Sequence, residues 1–277
     1  MHIHTNMSDG SLNVEEVMLA ASKSGVTILA ITDHETTSAI EKAIEIGFSY
    51  GIEVIPGVEF NTFFGNEEIH LLAYYKNIAD DRLQEKLVAL RQERSEITWR
   101  MFQKLKQKGL DLEWEKVEET ASPEGIICKT HIMYAIWNSL PHPGQVDWNL
   151  ISSWFKPGGV AFIPHEGNSY TDAVDFIFAS GGIPVLAHPG LIRNKNLIDD
   201  LLAYRPIGME VYYGYWDSQQ ERISFFEKIA KEKAILSTGG SDYHGFYSLI
   251  GIGQIAVPDK CGEDLKHYLQ IGIRDNN

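Results

Sequence analysis

Two histidines, His2 and His4, stand one residue apart in the opening stretch HIHTNMSDG, and Asp9 follows five residues after the second. In an extended segment residues i and i+2 point to the same face, so both imidazoles would look one way. A metal ion is the commonest reason to pair them; a chance N-terminal sequence is the plain alternative. The same residue types recur beside apolar runs. His34 closes VTILAITDH, Glu59 lies in IPGVEF and His70 in EIHLLAYY. His188 follows in VLAHPG, and Asp242 and His244 in STGGSDYHG. A lone histidine of this kind is more often a satisfied polar residue than a ligand. So many imidazoles and carboxylates in one register of the fold would repel or be badly desolvated without a cation among them. Imidazole plus carboxylate without thiolate suits Zn, Mn or Fe.

The elements that must position these residues alternate along the chain. NVEEVMLAASKSG reads as a helix with Asn13 as its cap, Glu16 at the capping-box position and Gly25 as its stop. SAIEKAIEIGFSYG is a second amphipathic helix. VTILAITDH, IEVIPGVEF and EIHLLAYY read as strands apolar on both faces, the pattern of a parallel sheet covered by helices. From about residue 80 to 164 the rhythm breaks. DDRLQEKLVALRQERSEITWRMFQKLKQKG is one long helix, with Leu83, Leu87, Leu90, Ile97, Met101 and Leu105 as its apolar stripe. Further helical pieces follow at THIMYAIWNSL and VDWNLISSWF. The alternation then resumes with a strand at VAFIPH, a helix at TDAVDFIFASGG and strands at IPVLAHPG, GMEVYYG and AILSTGGSDYHG. Residues 1–79 and 165–277 are therefore expected to form one discontinuous barrel, with 80–164 as a helical insert. In parallel α/β barrels functional residues gather at the C-terminal strand ends, where side chains from several strands meet.

Composition narrows the function. The chain has 277 residues and a formal net charge of −14, which argues against binding duplex nucleic acid. A small phosphorylated substrate stays compatible, since bound divalent cations reverse the potential inside a pocket. No apolar run reaches the length of a membrane span. Two cysteines, Cys128 and Cys261, make no disulfide framework, so a reducing cytoplasm is the expected compartment.

The ordered set HIHTNMSDG, AITDH, IPGVEF, HLLAYY, VLAHP and GGSDYHG resembles the motifs of the polymerase-and-histidinol-phosphatase (PHP) superfamily over nearly the whole chain. The resemblance implies a distorted (β/α)7 TIM-like barrel holding three divalent transition metals at its strand ends. Carried over residue by residue, one metal would take His2, His4, Glu59 and Asp242. A second would take Glu59 as a bridge with His70 and His188. The third would take Asp9, His34 and His244. Only Met1 precedes His2, so the first strand is expected to be short. Metals so placed suit hydrolysis of a phosphoester, whose transition state needs positive charge on its oxygens and a water of lowered pKa.

The insert supplies the candidate substrate residues. Arg94 falls on the apolar stripe, where a charge either snorkels at the rim or faces a pocket. The resemblance implies a lid over the metals, hence a pocket and a phosphate clamp. CKTHIMYAI resembles a family segment written Arg-Pro-His-Ile-Ala, with Lys129 at the Arg position and Thr130 at the Pro position. Lysine cannot make the bidentate fork of arginine. His131 would bind phosphate or protonate the leaving oxygen, or else cap its own helix. Arg193 is a weaker clamp candidate on a loop beside the mouth. Glu210 is expected to orient a ligand imidazole. His142 and His267 read as surface residues, and His165 stands outside the ligand set. Of Trp99, Trp137, Trp148 and Trp154, most are expected in the insert core, with base stacking as the other use.

The expected activity is a metal-dependent phosphoesterase. Its best substrate is the 3′-phosphate of a nucleoside 3′,5′-bisphosphate or the end of a short single-stranded oligonucleotide. Histidinol-phosphate phosphatase is the runner-up. An amidohydrolase would usually require a bridging lysine, and no lysine stands at a strand end. A non-catalytic metal-stabilised module is a third reading, disfavoured because every ligand position is filled.

Overall fold

The computed structural model describes residues 1–140, 147–163, 167–215, 219–246 and 248–272; His142 and His165 lie outside the described residues. Asn13 starts the first helix, α1 (Val14–Lys23), through the expected capping box: its side chain accepts from the Glu16 N–H, and the Glu16 carboxylate accepts from the Asn13 N–H. Such caps contribute about 1 kcal/mol. β1 (Ile28–Ile31), α2 (Ile40–Tyr50), β2 (Glu53–Phe64) and β3 (Glu67–Tyr74) follow. After the insert come α7 (Tyr170–Ala179), β4 (Ile183–Leu186), α8 (Leu197–Tyr204), β5 (Gly208–Tyr213), α9 (Gln219–Lys233), β6 (Ser237–Gly240) and α10 (Asp259–Ile271).

Among the described residues six strands form one sheet in sequence order. The N-terminal residues join its two edges. Thr32 N–H donates to the Ile3 carbonyl at the end of β1. Beyond β6, Asp242 N–H donates to the His2 carbonyl and His4 N–H to that of Tyr243. Residues 2–4 thus act as a short seventh stave that closes the barrel, and their extended course aims both imidazoles inward.

Three elements differ from the sequence expectation. β3 runs antiparallel to both β2 and β4, not parallel, because only Gly65 and Asn66 separate it from β2. Gly65 has φ +61°, and two residues cannot make a parallel crossover. The mouth therefore meets the first half of β3, and that is how His70 reaches it. Glu59 likewise lies inside β2, not at its end, since β2 continues to Phe64. VAFIPH forms no strand through Ile163: Ala161 and Ile163 are buried in the insert core instead.

The insert is built on α3 (Asp81–Gln107), with α4 (Trp114–Glu118), α5 (Lys129–Ser139) and α6 (Trp148–Ser153) against it. Leu83, Leu87 and Leu90 pack with Phe60, Ile69 and Leu71 of the barrel. Ile97, Met101 and Leu105 pack with Ile132, Ile136, Ile151 and Phe155. One helix therefore belongs to two cores. Trp137, Trp148 and Trp154 lie against the second core, while Trp99 is exposed and stacks on Phe102.

Candidate metal centre

Each candidate ligand is delivered by a backbone feature. His2 and His4 come from the closing stave and His34 from the end of β1. Glu59 and His70 come from the β2–β3 hairpin. His188 and Asp242 follow β4 and β6 in left-handed conformations, φ +28° and +49°, which turn their side chains into the mouth at a cost to non-glycine residues. The space for this is supplied by glycines. A Cβ on Gly240 would sit 2.6 Å from the His2 nitrogen, and one on Gly10 2.6 Å from the His4 carbonyl oxygen. Gly240→Ala is expected to lower stability by about 1–3 kcal/mol, the usual cost of overpacking, and to lower metal content with it. Thermal melting and elemental analysis check this.

Among the described residues, three groups of side chains have ligand atoms close enough to hold a metal ion: His2, His4, Glu59 and Asp242; His4, Asp9, His34 and His244; and His34, Glu59 and His70. In the first, His2 Nε2 and His4 Nε2 are 3.2 Å apart and lie 3.3 and 3.1 Å from Glu59 Oε2. Asp242 Oδ1 is 3.2 and 3.1 Å from the same nitrogens. A tetrahedron of ligands about 2.0 Å from a metal has edges of about 3.3 Å, so this spacing suits one ion at its centre. In the second, Asp9 Oδ1 lies 3.3 Å from His244 Nε2 and 3.9 Å from His34 Nε2. His4 meets Asp9 through Nδ1 at 3.7 Å. A neutral imidazole offers only one lone pair. His4, committed through Nε2 to the first group, therefore leaves Asp9, His34 and His244 for the other. Around Glu59 Oε1 stand His70 Nδ1 at 2.9 Å and His188 Nε2 at 3.3 Å.

The donor set fits cations. Asp9 Oδ1, His34 Nδ1 and Asp242 Oδ1 are buried and have no hydrogen-bond partner, an expensive state for polar atoms unless something else satisfies them. Burial opposes charge on His4, but Asp242 and Glu59 outweigh it and raise its pKa to about 10. Burial likewise opposes charge on His70, which Glu59 and Glu68 raise to about 9. Burial would raise Asp9, Glu59 and Asp242, yet the surrounding imidazoles hold all three well below the usual carboxylate range. Without metal, protons on the imidazoles balance the carboxylates; a cation would take their place. His2 and His4 are sealed in, while the side chains of His70, His188 and His244 are 12–21% exposed. Solvent therefore reaches the centre from that side.

A second layer holds the ligands. Glu210 Oε1 lies 3.0 Å from His2 Nδ1, and its Oε2 accepts from the His188 N–H. Tyr213 donates to Asp242, and Thr130 of the insert donates to Asp9 Oδ2. Asp33 accepts from the Thr5 N–H, the Thr5 hydroxyl and the Ser8 hydroxyl, fixing the loop that carries Asp9. Asp33 carries no signal of this role in the sequence beyond standing beside His34.

The family of the chain follows from its N-terminal half. Residues 1–148 match the family model described as the PHP domain, more than half of the sequence. The chain belongs to the PHP domain family. This PHP chain is 29% identical to a phosphoribosyl 1,2-cyclic phosphate 1,2-diphosphodiesterase of Eggerthella lenta, over 93% of its own length and 98% of that protein's. It is 27% identical to a 3′,5′-nucleoside bisphosphate phosphatase of Chromobacterium violaceum, over 96% and 90% of the two. A solved structure named as an amidohydrolase of Chromobacterium violaceum, with bound sulfate and no metal, superposes with TM-score 0.84 at 26% identity, covering 96% of this chain and 95% of that one. A structure named as a metal-dependent phosphoesterase of Bifidobacterium adolescentis gives 0.82 at 25%, covering 99% and 96%. The PHP chain is a hydrolase of the metal-dependent phosphoesterase class, and among the described residues no helix is long and apolar enough to cross a membrane.

The insert residues of the PHP chain are placed less simply. Arg94 is buried, and Glu35 supplies the anionic partner its position demands: Nε and Nη2 donate to the two carboxylate oxygens at 2.5 and 2.9 Å. Phosphate is not needed to explain its burial. Lys129 pairs with Glu68, 3.0 Å away. His131 caps its own helix, its Nδ1 accepting from the Cys128 N–H. Burial, with Arg94 nearby, lowers its pKa to about 4, so at neutral pH it is an uncharged imidazole with its proton on Nε2. That state suits a hydrogen-bond donor and not an imidazolium acid. Arg193 is exposed on the loop after His188, its N–H held by Glu67. His267 is exposed.

Proposed function

We propose that this chain hydrolyses the 3′-phosphate of a nucleoside 3′,5′-bisphosphate or of a short oligonucleotide end, with three divalent ions (Mn, Zn or Fe) held by His2, His4, Asp9, His34, Glu59, His70, His188, Asp242 and His244. The observation that carries this reading is the sharing of Glu59: one oxygen faces His2 and His4, the other faces His70 and His188. Bound ions would withdraw charge from the phosphate oxygens and lower the pKa of water. The chain's own residues do the rest. Glu210, Tyr213 and Thr130 hold His2, Asp242 and Asp9 in place through their hydrogen bonds. Residues 80–164 form the lid, and its Lys129 and His131, with Arg193 on the loop after His188, are the donors available to a second phosphate, while the Arg94 fork is held by Glu35. Neutral His131 would serve there as a donor to an oxygen.

A second reading has its own support. The Eggerthella lenta relative is matched over 98% of its length and acts, by its name, on a cyclic phosphate of phosphoribose. Both substrates place phosphate on a ribose hydroxyl close to another phosphate. Phosphate release should be followed with a nucleoside 3′,5′-bisphosphate, phosphoribosyl 1,2-cyclic phosphate, a short RNA and histidinol phosphate, at matched metal loading. The first should give the highest kcat/KM. A preference of tenfold or more for the cyclic phosphate would replace the first reading by the second.

A further inference from the structure

We infer that Glu35 and Arg94 are positioning residues for the metal centre: a buried ion pair through which the insert helix holds His34 and Glu59 in place. Glu35 follows His34 directly and adopts φ +46°, the left-handed region that a glutamate rarely enters. Every polar group on it is engaged. Its N–H donates to the Glu59 carbonyl, and its Oε1 accepts from the Asn61 N–H. Its carbonyl accepts from Arg91 Nη1, and its carboxylate from the Arg94 fork. Two arginines one helical turn apart on α3 thus grip the residue that joins His34 to the strand carrying Glu59. His34 and Glu59 are themselves bridged through their backbones.

The pair is 59 residues apart in sequence and spans the barrel and the insert. Arg94 and Glu35 are both nearly inaccessible, so their mutual charge is not screened by water. Removing either charge would leave the other buried and unpaired. Glu35 would then turn out of its strained conformation, and His34 would move with it, since the two share a peptide bond. Outer partners of this kind commonly change metal affinity about ten- to hundredfold. The inference adds to the proposed function and uses its metal centre, but it assigns Arg94 to the protein and not to the substrate.

The test compares wild type, Glu35→Gln, Arg94→Gln and the double variant, loaded with Mn, by titration calorimetry and by elemental analysis after dialysis. Each single variant should lose about tenfold or more in affinity for one ion per chain while keeping the others. The double variant should be no worse than the singles, and excess Mn should restore kcat with KM unchanged. Arg94→Lys, which keeps the charge but loses the fork, should fall between; paired with Glu35→Asp it also serves if the glutamine variants do not fold. Unchanged metal affinity in all variants would overturn the inference. So would Arg94→Gln raising KM equally in the wild-type and Glu35→Gln backgrounds, which would make Arg94 a direct phosphate ligand. A wild type that binds Mn but hydrolyses no phosphate ester would overturn the substrate reading alone, since affinity is read without substrate.

Discussion

Glu59→Gln should remove two ions per chain together and lower kcat by about a thousandfold or more, on the scale of the several kcal/mol that metals contribute to phosphoester hydrolysis. Glu59 is 1% exposed, and its two oxygens face different sets of imidazoles. Glutamine keeps the shape and loses the charge. Its amide must also turn two N–H donors toward nitrogens that need to act as ligands. Both neighbouring positions are spoiled by one substitution, whereas His244→Ala should cost one ion only. Elemental analysis of dialysed protein separates the cases. Loss of a single ion in Glu59→Gln would mean that the carboxylate does not bridge. An unchanged kcat would remove the hydrolytic role from this centre altogether.

How far this centre could be read from sequence varied by residue. The ligand positions stood out because imidazoles and carboxylates at the edges of apolar strands have few structural uses, and His-x-His states its geometry locally through the alternation of a strand. The hairpin was missed although its signal was present: two residues, one of them Gly65, between two strands permit only an antiparallel return. VAFIPH reads as a strand because a short apolar run does not say which core it enters; Ala161 and Ile163 fill the insert's. Arg94 announced itself as a charge on an apolar stripe. Its partner did not, because Glu35 lies 59 residues away and becomes its neighbour only when the insert folds back over β1. Glu35 also follows a ligand so closely that HETT reads as part of the metal motif. Local patterns thus mark the candidate ligands, and only the tertiary fold brings Glu35 to Arg94.

The metal-free protein should lose stability as pH rises from about 6.5 to 10, and bound metal should abolish that loss. His4, raised to about 10, and His70, raised to about 9, hold protons in the folded state that the unfolded chain releases near 6.5. His2 and His244 are raised in the same sense. A group whose folded pKa is raised stabilises fully below its unfolded value, and that contribution disappears as pH climbs through the folded value. The carboxylates of Asp9, Glu59 and Asp242 are depressed, so their contribution is present above about 4 and fades in acid. Burial lowers His34 and His131, so below about 6.5 the unfolded chain takes up protons there that the fold does not; metal-free protein should therefore be most stable near pH 6.5. Metal binding reverses the alkaline side, because each ligand imidazole must be neutral and high pH removes the competing proton. The difference in Tm between loaded and metal-free protein should consequently widen from pH 6 to pH 9, by an amount worth on the order of a few kcal/mol. Melting curves at pH 6, 7.5 and 9, with and without metal, measure it directly. Calorimetric titrations in buffers of different ionisation enthalpy should find protons released on binding at pH 7.5. A gap that stays constant with pH, together with no proton release, would mean that these imidazoles are already neutral in the metal-free fold and that the carboxylates are balanced in some other way.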